Sequence, residues 1–189
     1  MKAYCINLAH RTDKWIETQI ECEQIGLDVV RYDAIYDDNG WEGCRKSHLA
    51  ILAQAQPPFI ILEDDVKFLG NMKDIHRCMD DLPQDWDMLY LGANLQAPID
   101  RYSEHLYRLK YAYATHAIIY NTQRVIDYIL EHDAGGRKID VFYAEKVMEQ
   151  FNVYATRPML ATQRPSLTDI SQHYQYYTHL EEGYSKFTN

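Results

Sequence analysis

Residues 59–66 read Phe59-Ile60-Ile61-Leu62-Glu63-Asp64-Asp65-Val66. Four apolar residues run straight into three carboxylates. A short apolar run of this kind fits a strand covered on both faces. The acids cannot continue into that core, because an unpaired buried charge is too costly. They must sit at the strand's carboxyl end, which in open α/β sheets is the edge where ligands bind. Side chains alternate along an extended chain, so Glu63 and Asp65 can face one side and share a hard divalent cation. Asp64 then faces the other side. A plain strand followed by an acidic turn explains the motif equally well on its own.

Working outward, Ala3–Leu8 reads as a first strand. Thr12 can cap a helix through Ile25, with Trp15, Ile16, Ile20 and Cys22 as its apolar face and Gly26 ending it. Val29–Tyr32 is a second strand, and Asp37-Asp38-Asn39-Gly40 a turn. Gly43–Gln56 reads as a helix stopped by Pro57-Pro58. After the quoted strand come a helix over Asn71–Asp81 and a strand over Met88–Leu91. Further on, Leu106–Ala114 alternates like a strand with one exposed face. Ala117–Tyr120 is another strand, and Thr122–Glu131 and Asp140–Gln150 are helices, with Gly135-Gly136 between them. Val153–Ala155 and Met159–Ala161 are short extended pieces. The polar, tyrosine-rich tail from Ser171 reads as a lid, a disordered end or a surface wrap. Strands alternating with helices in this way indicate an α/β fold with a mostly parallel mixed sheet.

The chain has 189 residues, enough for one domain with a proper core. Its net charge of −9 argues against nucleic acid as a partner and suits a site that collects a cation. No apolar run approaches the ~20 residues that span a bilayer. The amino end carries no long apolar signal segment, so the expectation is a cytoplasmic protein, with peripheral membrane association left open. The four cysteines form no Cys-x-x-Cys pair, so free thiols in a reducing compartment are expected rather than a zinc knuckle. The 16 tyrosines suit ring-shaped polar ligands such as sugars, although any single one is more simply core or surface.

Several separated segments resemble family 25 glycosyltransferases, the lipooligosaccharide and procollagen galactosyltransferase group. They are Ile6-Asn7-Leu8 with Arg11, Asp13 and Lys14; Gly43-Cys44-Arg45-Lys46-Ser47-His48; Ile61-Leu62-Glu63-Asp64-Asp65-Val66; Asp87-x-x-Tyr90-Leu91-Gly92; Thr115-His116-Ala117; Asp140; and Gln163-x-x-Ser166-x-x-Asp169-Ile170. Each is weak alone, but their order spans nearly the whole chain. The resemblance implies a GT-A-type nucleotide-binding α/β/α sandwich. Residues 1–92 would form the nucleotide-sugar half, 93–170 the acceptor and catalytic half, and 171–189 a tail or lid. It further implies an inverting transferase that moves a sugar, galactose first, from a UDP-sugar to a saccharide or glycolipid hydroxyl in lipopolysaccharide biosynthesis. The chain is short for that family between its second strand and Gly43.

On that reading Glu63 and Asp65 ligate a divalent cation, Mn²⁺ before Mg²⁺, with His116 and His173 as candidate extra ligands. Asn7, Arg11, Ser47, His48, Asp64, Gln163 and Ser166 contact the nucleotide sugar. Arg11 offers a bidentate phosphate contact, or else an ion pair with Asp13. Ser47 and His48 are expected near an anion-attracting helix start, or else as a cap and a core histidine. Asp140 is the expected general base, with a helix cap as its plainer role and Asp169 as its rival. A metal-dependent phosphohydrolase and a non-catalytic UDP-sugar-binding relative are the alternatives.

Overall fold

The structure, a computed structural model, describes residues 1–96, 99–167 and 173–187, with only the backbone for 166 and 167. The chain opens with β1 (Lys2–Asn7), α1 (Thr12–Ile25), β2 (Val29–Asp33) and α2 (Gly40–Leu52). Next come β3 (Phe59–Glu63), β4 (Val66–Phe68), α3 (Met72–Asp80) and β5 (Met88–Tyr90). Four short strands follow: β6 (Asn94–Leu95), β7 (Asp100–Arg101), β8 (Leu106–Arg108) and β9 (Ala112–Tyr113). They lead to β10 (Ala117–Tyr120) and α4 (Gln123–His132). α5 (Ile139–Phe142), a π-helical turn (Tyr143–Val147) and α6 (Met148–Gln150) form one interrupted helix. Strands β11 (Val153–Thr156), β12 (Ala161–Gln163), β13 (Ser166–Leu167) and β14 (Tyr174–Gln175) precede α7 (Thr178–Phe187).

Eight strands form one sheet in the order β2-β1-β3-β10-β5-β11-β8-β7. The fold is α/β, and its sheet is more mixed than the alternation of elements suggests. β1 lies parallel to β2 and β3, and β11 parallel to β5. The other four pairings are antiparallel: β10 with β3 and with β5, β8 with β11, and β7 with β8. A parallel neighbour needs a long crossover, usually a helix. The described residues between β5 and β10 contain none, so β10 returns between β3 and β5 in the opposite direction. One continuous sheet therefore joins residues 1–92 to the rest of the chain.

All four apolar residues of β3 are 0% exposed. Phe59 and Ile61 enter one core layer with Ile6, Met88, Tyr90 and Ile118; α2, α4, α5 and α7 cover it through Ile51, Val125, Phe142 and Leu180. Ile60 and Leu62 enter the opposite layer with Cys5, Leu89 and Ile119, covered by α1 and α3 through Cys22 and Ile75. The strand's two-residue period thus feeds two helical layers.

Local readings differ from this outcome in instructive ways. α1 ends at Gly26 in the left-handed conformation (φ 76°), as its sequence suggests. Its buried face is Lys14, Thr18 and Cys22, while Ile16 and Ile20 stand 56% and 48% exposed. Polar groups claim the inner face because Lys14 and Thr18 both reach Asp64. α2 starts at Gly40 and ends at Leu52, not at Gly43 and Gln56, and Asn39 takes the preceding position. Leu106–Ala114 is two short strands rather than one, and both Leu106 and Tyr107 are buried. In the tail, α7 packs Leu180 and Tyr184 into the core.

Asp87, just before β5, ties three elements together. Its fully buried carboxylate accepts from Arg124 at 2.7 Å through both Nε and Nη2, from the Asn152 backbone at 2.9 Å, and from the Thr122 hydroxyl. Bonds to a buried charge contribute about 1.5–3 kcal/mol each, less where the partner is exposed, as Arg124 is. Asp87→Ala should therefore lose about 3 kcal/mol, a fall in melting temperature of roughly 6–12 °C. A fall below about 2 °C in thermal unfolding would show that this network does not secure the sheet.

Candidate functional site

The carboxyl ends of β1, β2 and β3 open onto a cavity of about 490 Å³. Its wall includes Ile6 and Leu8 after β1, Ala34–Asp38 after β2, Glu63, Asp64 and Asp65 after β3, and Gly43, Cys44 and Ser47 of α2. A second cavity of about 330 Å³ is lined by Trp41, Tyr113, Ala114, Thr115, Lys138, Asp140 and His179, among others. Cys44, Glu63, Gln163 and Tyr177 line both.

Each acid of the run has different partners. Glu63 Oε1 accepts from the Thr115 hydroxyl at 2.6 Å and faces His48 Nε2 at 3.4 Å. Asp64 accepts from Asn7 Nδ2 at 2.7 Å and lies 3.4 Å from Lys14 Nζ. Asp65, 6% exposed, accepts from Gln163 Nε2 at 3.1 Å and from the Tyr177 hydroxyl at 3.3 Å. Burial, and then the neighbouring Glu63 charge, push the Asp65 carboxyl up to about 7. Burial also raises Asp64, against the opposing pull of Lys14 and Asn7. Burial acts on Glu63 in the same sense, but His48 and Thr115 outweigh it and hold that carboxyl below its ordinary value. The Cys44 thiol is pushed well up by burial and then by Glu63.

α2 approaches the loop after β2 closely. A Cβ on Gly43 would meet the Ile35 carbonyl oxygen at 2.7 Å, so this glycine is there for close approach rather than for a turn. Ser47 Oγ donates to the Gly43 carbonyl at 2.7 Å and accepts from the Ile35 backbone at 2.8 Å. Ser47 and His48 sit in the middle of α2, not at its start, because the helix begins at Gly40. Neither therefore offers an end-of-helix anion site. His48 is fully buried, and among the described residues its Nδ1 has no hydrogen-bond partner.

The remaining expected residues fall in several places. Asn7 is 1% exposed, donates to the Arg11 carbonyl and to Asp64, and accepts from Arg31. Arg11 pairs with Asp13 at 3.2 Å. Neither Asn7 nor Arg11 is among the residues lining the two cavities, whereas Lys14 lines the larger one. Asp140 is the second residue of α5 rather than its cap, since Lys138 holds the capping position. It accepts from the Val141 backbone at 2.8 Å and from the Ala114 backbone at 3.4 Å. Ala114 has φ 72°, a left-handed conformation unusual for alanine and of the kind that collects at functional sites. His116 is buried against the Ala161 carbonyl, and His173 is exposed. Asp169 lies outside the described residues, as does the side chain of Ser166.

Thr115, which the resemblance marks without a role, and Tyr177, which no motif marks, are partners of the acids. Tyr177 is far from Asp65 in sequence, in a tail of weak periodicity. No protein-family model matches the chain, and no curated protein matches it. No helix among the described residues is long and apolar enough to cross a membrane.

The elevated Asp65 carboxyl has a consequence for stability. The unfolded group titrates near ~3.9, so the folded protein binds that proton more tightly. The stabilisation this gives is complete below the unfolded value and lost as pH rises through about 7. Asp65→Asn keeps an acceptor without the charge. It should stabilise the empty protein at pH ~8 by roughly 1–2 kcal/mol, since Glu63 shares the coupled shift. In melting curves that is a gain of about 2–8 °C, shrinking toward pH ~5. An equal or lower melting temperature at the alkaline end would contradict the strain assigned to Asp65.

Proposed function

We propose that this chain is a metal-dependent glycosyltransferase of the GT-A type. It transfers a hexose, galactose first, from a UDP-sugar to a saccharide hydroxyl with inversion. The observation that carries this reading is the placement of three carboxylates at the end of β3, on a cavity continuous in its lining with a second one that holds Asp140. The larger cavity has the size of a small-ligand site, and it lies at the carboxyl edge of the parallel strands.

The donor set suits a hard divalent cation. Glu63 and Asp65 both line the larger cavity, and Asp65 is buried with a raised carboxyl, which a cation would relieve. For this oxygen pair manganese is proposed ahead of magnesium, as the resemblance implies. Bound there, the cation would supply positive charge against the diphosphate of departing UDP. Lys14, on the same wall, is placed to meet a phosphate oxygen, a role for which Arg11 is less well positioned. Asn7 contributes by holding Asp64 in place. Gln163 and Tyr177 orient Asp65 by donating to it.

In the second cavity, Asp140 receives only backbone donors among the described residues and can take the proton of an acceptor hydroxyl. Ring-shaped acceptors suit the aromatic wall of Trp41, Tyr113 and Tyr177. A phosphohydrolase would use the same acids with water in place of the sugar hydroxyl, so the identity of the acceptor decides between the two.

Two measurements test the proposal. UDP should raise the melting temperature of the protein only with Mn²⁺ present, and Asp65→Asn should abolish that gain. With UDP-galactose and a saccharide acceptor, Asp140→Asn should lower turnover by about 10²–10⁴-fold while leaving donor affinity nearly unchanged. Manganese-independent UDP binding, or phosphate release without sugar transfer, would overturn the transferase reading. Full turnover in the Asp140 variant would move the base role elsewhere.

A further inference from the structure

Cys44 and His48 stand four residues apart on α2 and so share one helical face. Opposite them, Glu63 leaves the end of β3. One ligand atom from each, a sulfur, a ring nitrogen and a carboxylate oxygen, lies within 4.8 Å of the others. Glu63 Oε1 stands between, 3.4 Å from His48 Nε2 and 4.0 Å from Cys44 Sγ.

We infer that Cys44, His48 and Glu63 form a binding site for a thiophilic divalent ion of the zinc type. The site differs in chemistry from the oxygen-donor pair of Glu63 and Asp65. A tetrahedral zinc site with Zn–S near ~2.3 Å and Zn–N and Zn–O near ~2.1 Å spaces its ligand atoms about 3.3–3.6 Å apart. The His48 separation from Glu63, 3.4 Å, already matches, the Cys44 separation, 4.0 Å, must close by about 0.4 Å, and the sulfur–nitrogen pair, within 4.8 Å, must close by up to about 1.2 Å. Thiolate and imidazole together select zinc or cobalt over magnesium and manganese. The Thr115 hydroxyl donates to the same Glu63 oxygen at 2.6 Å, the kind of outer hydrogen bond that orients a ligating carboxylate. Cys44 and Glu63 line both cavities, so the fourth coordination position opens onto them. Three protein ligands with an open fourth position are the pattern of a reactive rather than a sealed zinc site.

The His48 ring sets the expected strength. Its Nε2 faces the cluster, and its buried Nδ1 has no partner among the described residues. A metal-bound histidine normally donates that second N–H, and losing such a bond weakens binding by about 10–100-fold. The site should therefore hold zinc about 10–100-fold more weakly than one whose histidine has that bond. Binding requires the Cys44 thiolate and so releases a proton. The zinc site shares Glu63 with the oxygen pair, so the two ions compete for that carboxylate, and a titration with metal alone tests the zinc site apart from the transferase reading.

The test is a titration of the full chain, stripped with a chelator, with Co²⁺ and then Zn²⁺ in the absence of nucleotide. One equivalent of cobalt should give a thiolate-to-cobalt charge-transfer band and the strong visible bands of a tetrahedral ion, and zinc should erase both. Cys44→Ser should lose the charge-transfer band and bind zinc about tenfold or more weakly. His48→Gln, checked for folding by circular dichroism, should weaken zinc similarly. Cys78→Ala, a buried thiol of the opposite core layer, should keep the band. No thiolate band at stoichiometric cobalt, a band that survives Cys44→Ser, or a band lost in Cys78→Ala would each overturn the site.

Discussion

Three consecutive carboxylates leave a strand whose apolar residues have no contact with solvent, and each carboxylate must find its own donors. Asp64 takes them from Asn7 and Lys14, at the amino end of the chain. Glu63 takes them from His48 in α2 and from Thr115. Asp65 takes them from Gln163 and Tyr177, near the carboxyl end. Arg164 adds a clasp: its guanidinium donates to the Asp64 carbonyl and its backbone to the Asp65 carbonyl. Much of the tertiary arrangement around the site follows from these demands. α1 turns a lysine and a threonine inward, α2 brings a histidine to the strand end, and the last third of the chain returns across the acids.

The solution is incomplete, and the remainder lies along the two cavities. Asp65 stays raised despite its two donors, and Ala114 holds a left-handed backbone beside the second cavity. Gly92 makes a related concession to packing: a Cβ there would lie 1.8 Å from the Ala161 carbonyl oxygen. Elsewhere the packing is conventional, and Asp87 shows how a buried carboxylate looks when its donors suffice. The contrast between Asp87 and Asp65 separates a buried carboxylate met by an arginine, a backbone amide and a hydroxyl from one met by an amide and a phenol and left raised.

What the sequence discloses depends on range. The β3 run, the left-handed Gly26 stop and the helix after Asn71 rest on neighbours in sequence, and all three are legible. The face of α1 is not, because Ile16 and Ile20 look like core until Asp64 claims Lys14 and Thr18. The middle of the sheet is not legible either, since the placement of β10 between β3 and β5 depends on partners far apart in the chain. At the site, the acids can be read from residues 59–66, whereas Thr115 is marked only by the resemblance, without its bond to Glu63, and Tyr177 is not marked at all. Asn7 marks the right place, but its visible task is to hold Asp64. The Cys44–His48 spacing is a helical signal that becomes informative only once Glu63 is known to face it.

The sheet order also bears on how the protein comes to be made. Its four central strands draw on residues 59–63, 88–90, 117–120 and 153–156, and the third of these must slide between the first two. A nascent chain that has reached residue 92 holds β1, β2 and β3 but lacks the neighbour that covers β3's second edge. That edge, carrying Phe-Ile-Ile-Leu, is a bare hydrophobic template for as long as β10 is missing. Long-range pairing of this sort slows folding and prolongs such exposure. The same strand that positions the acids thus keeps one edge unpaired until β10 has been made.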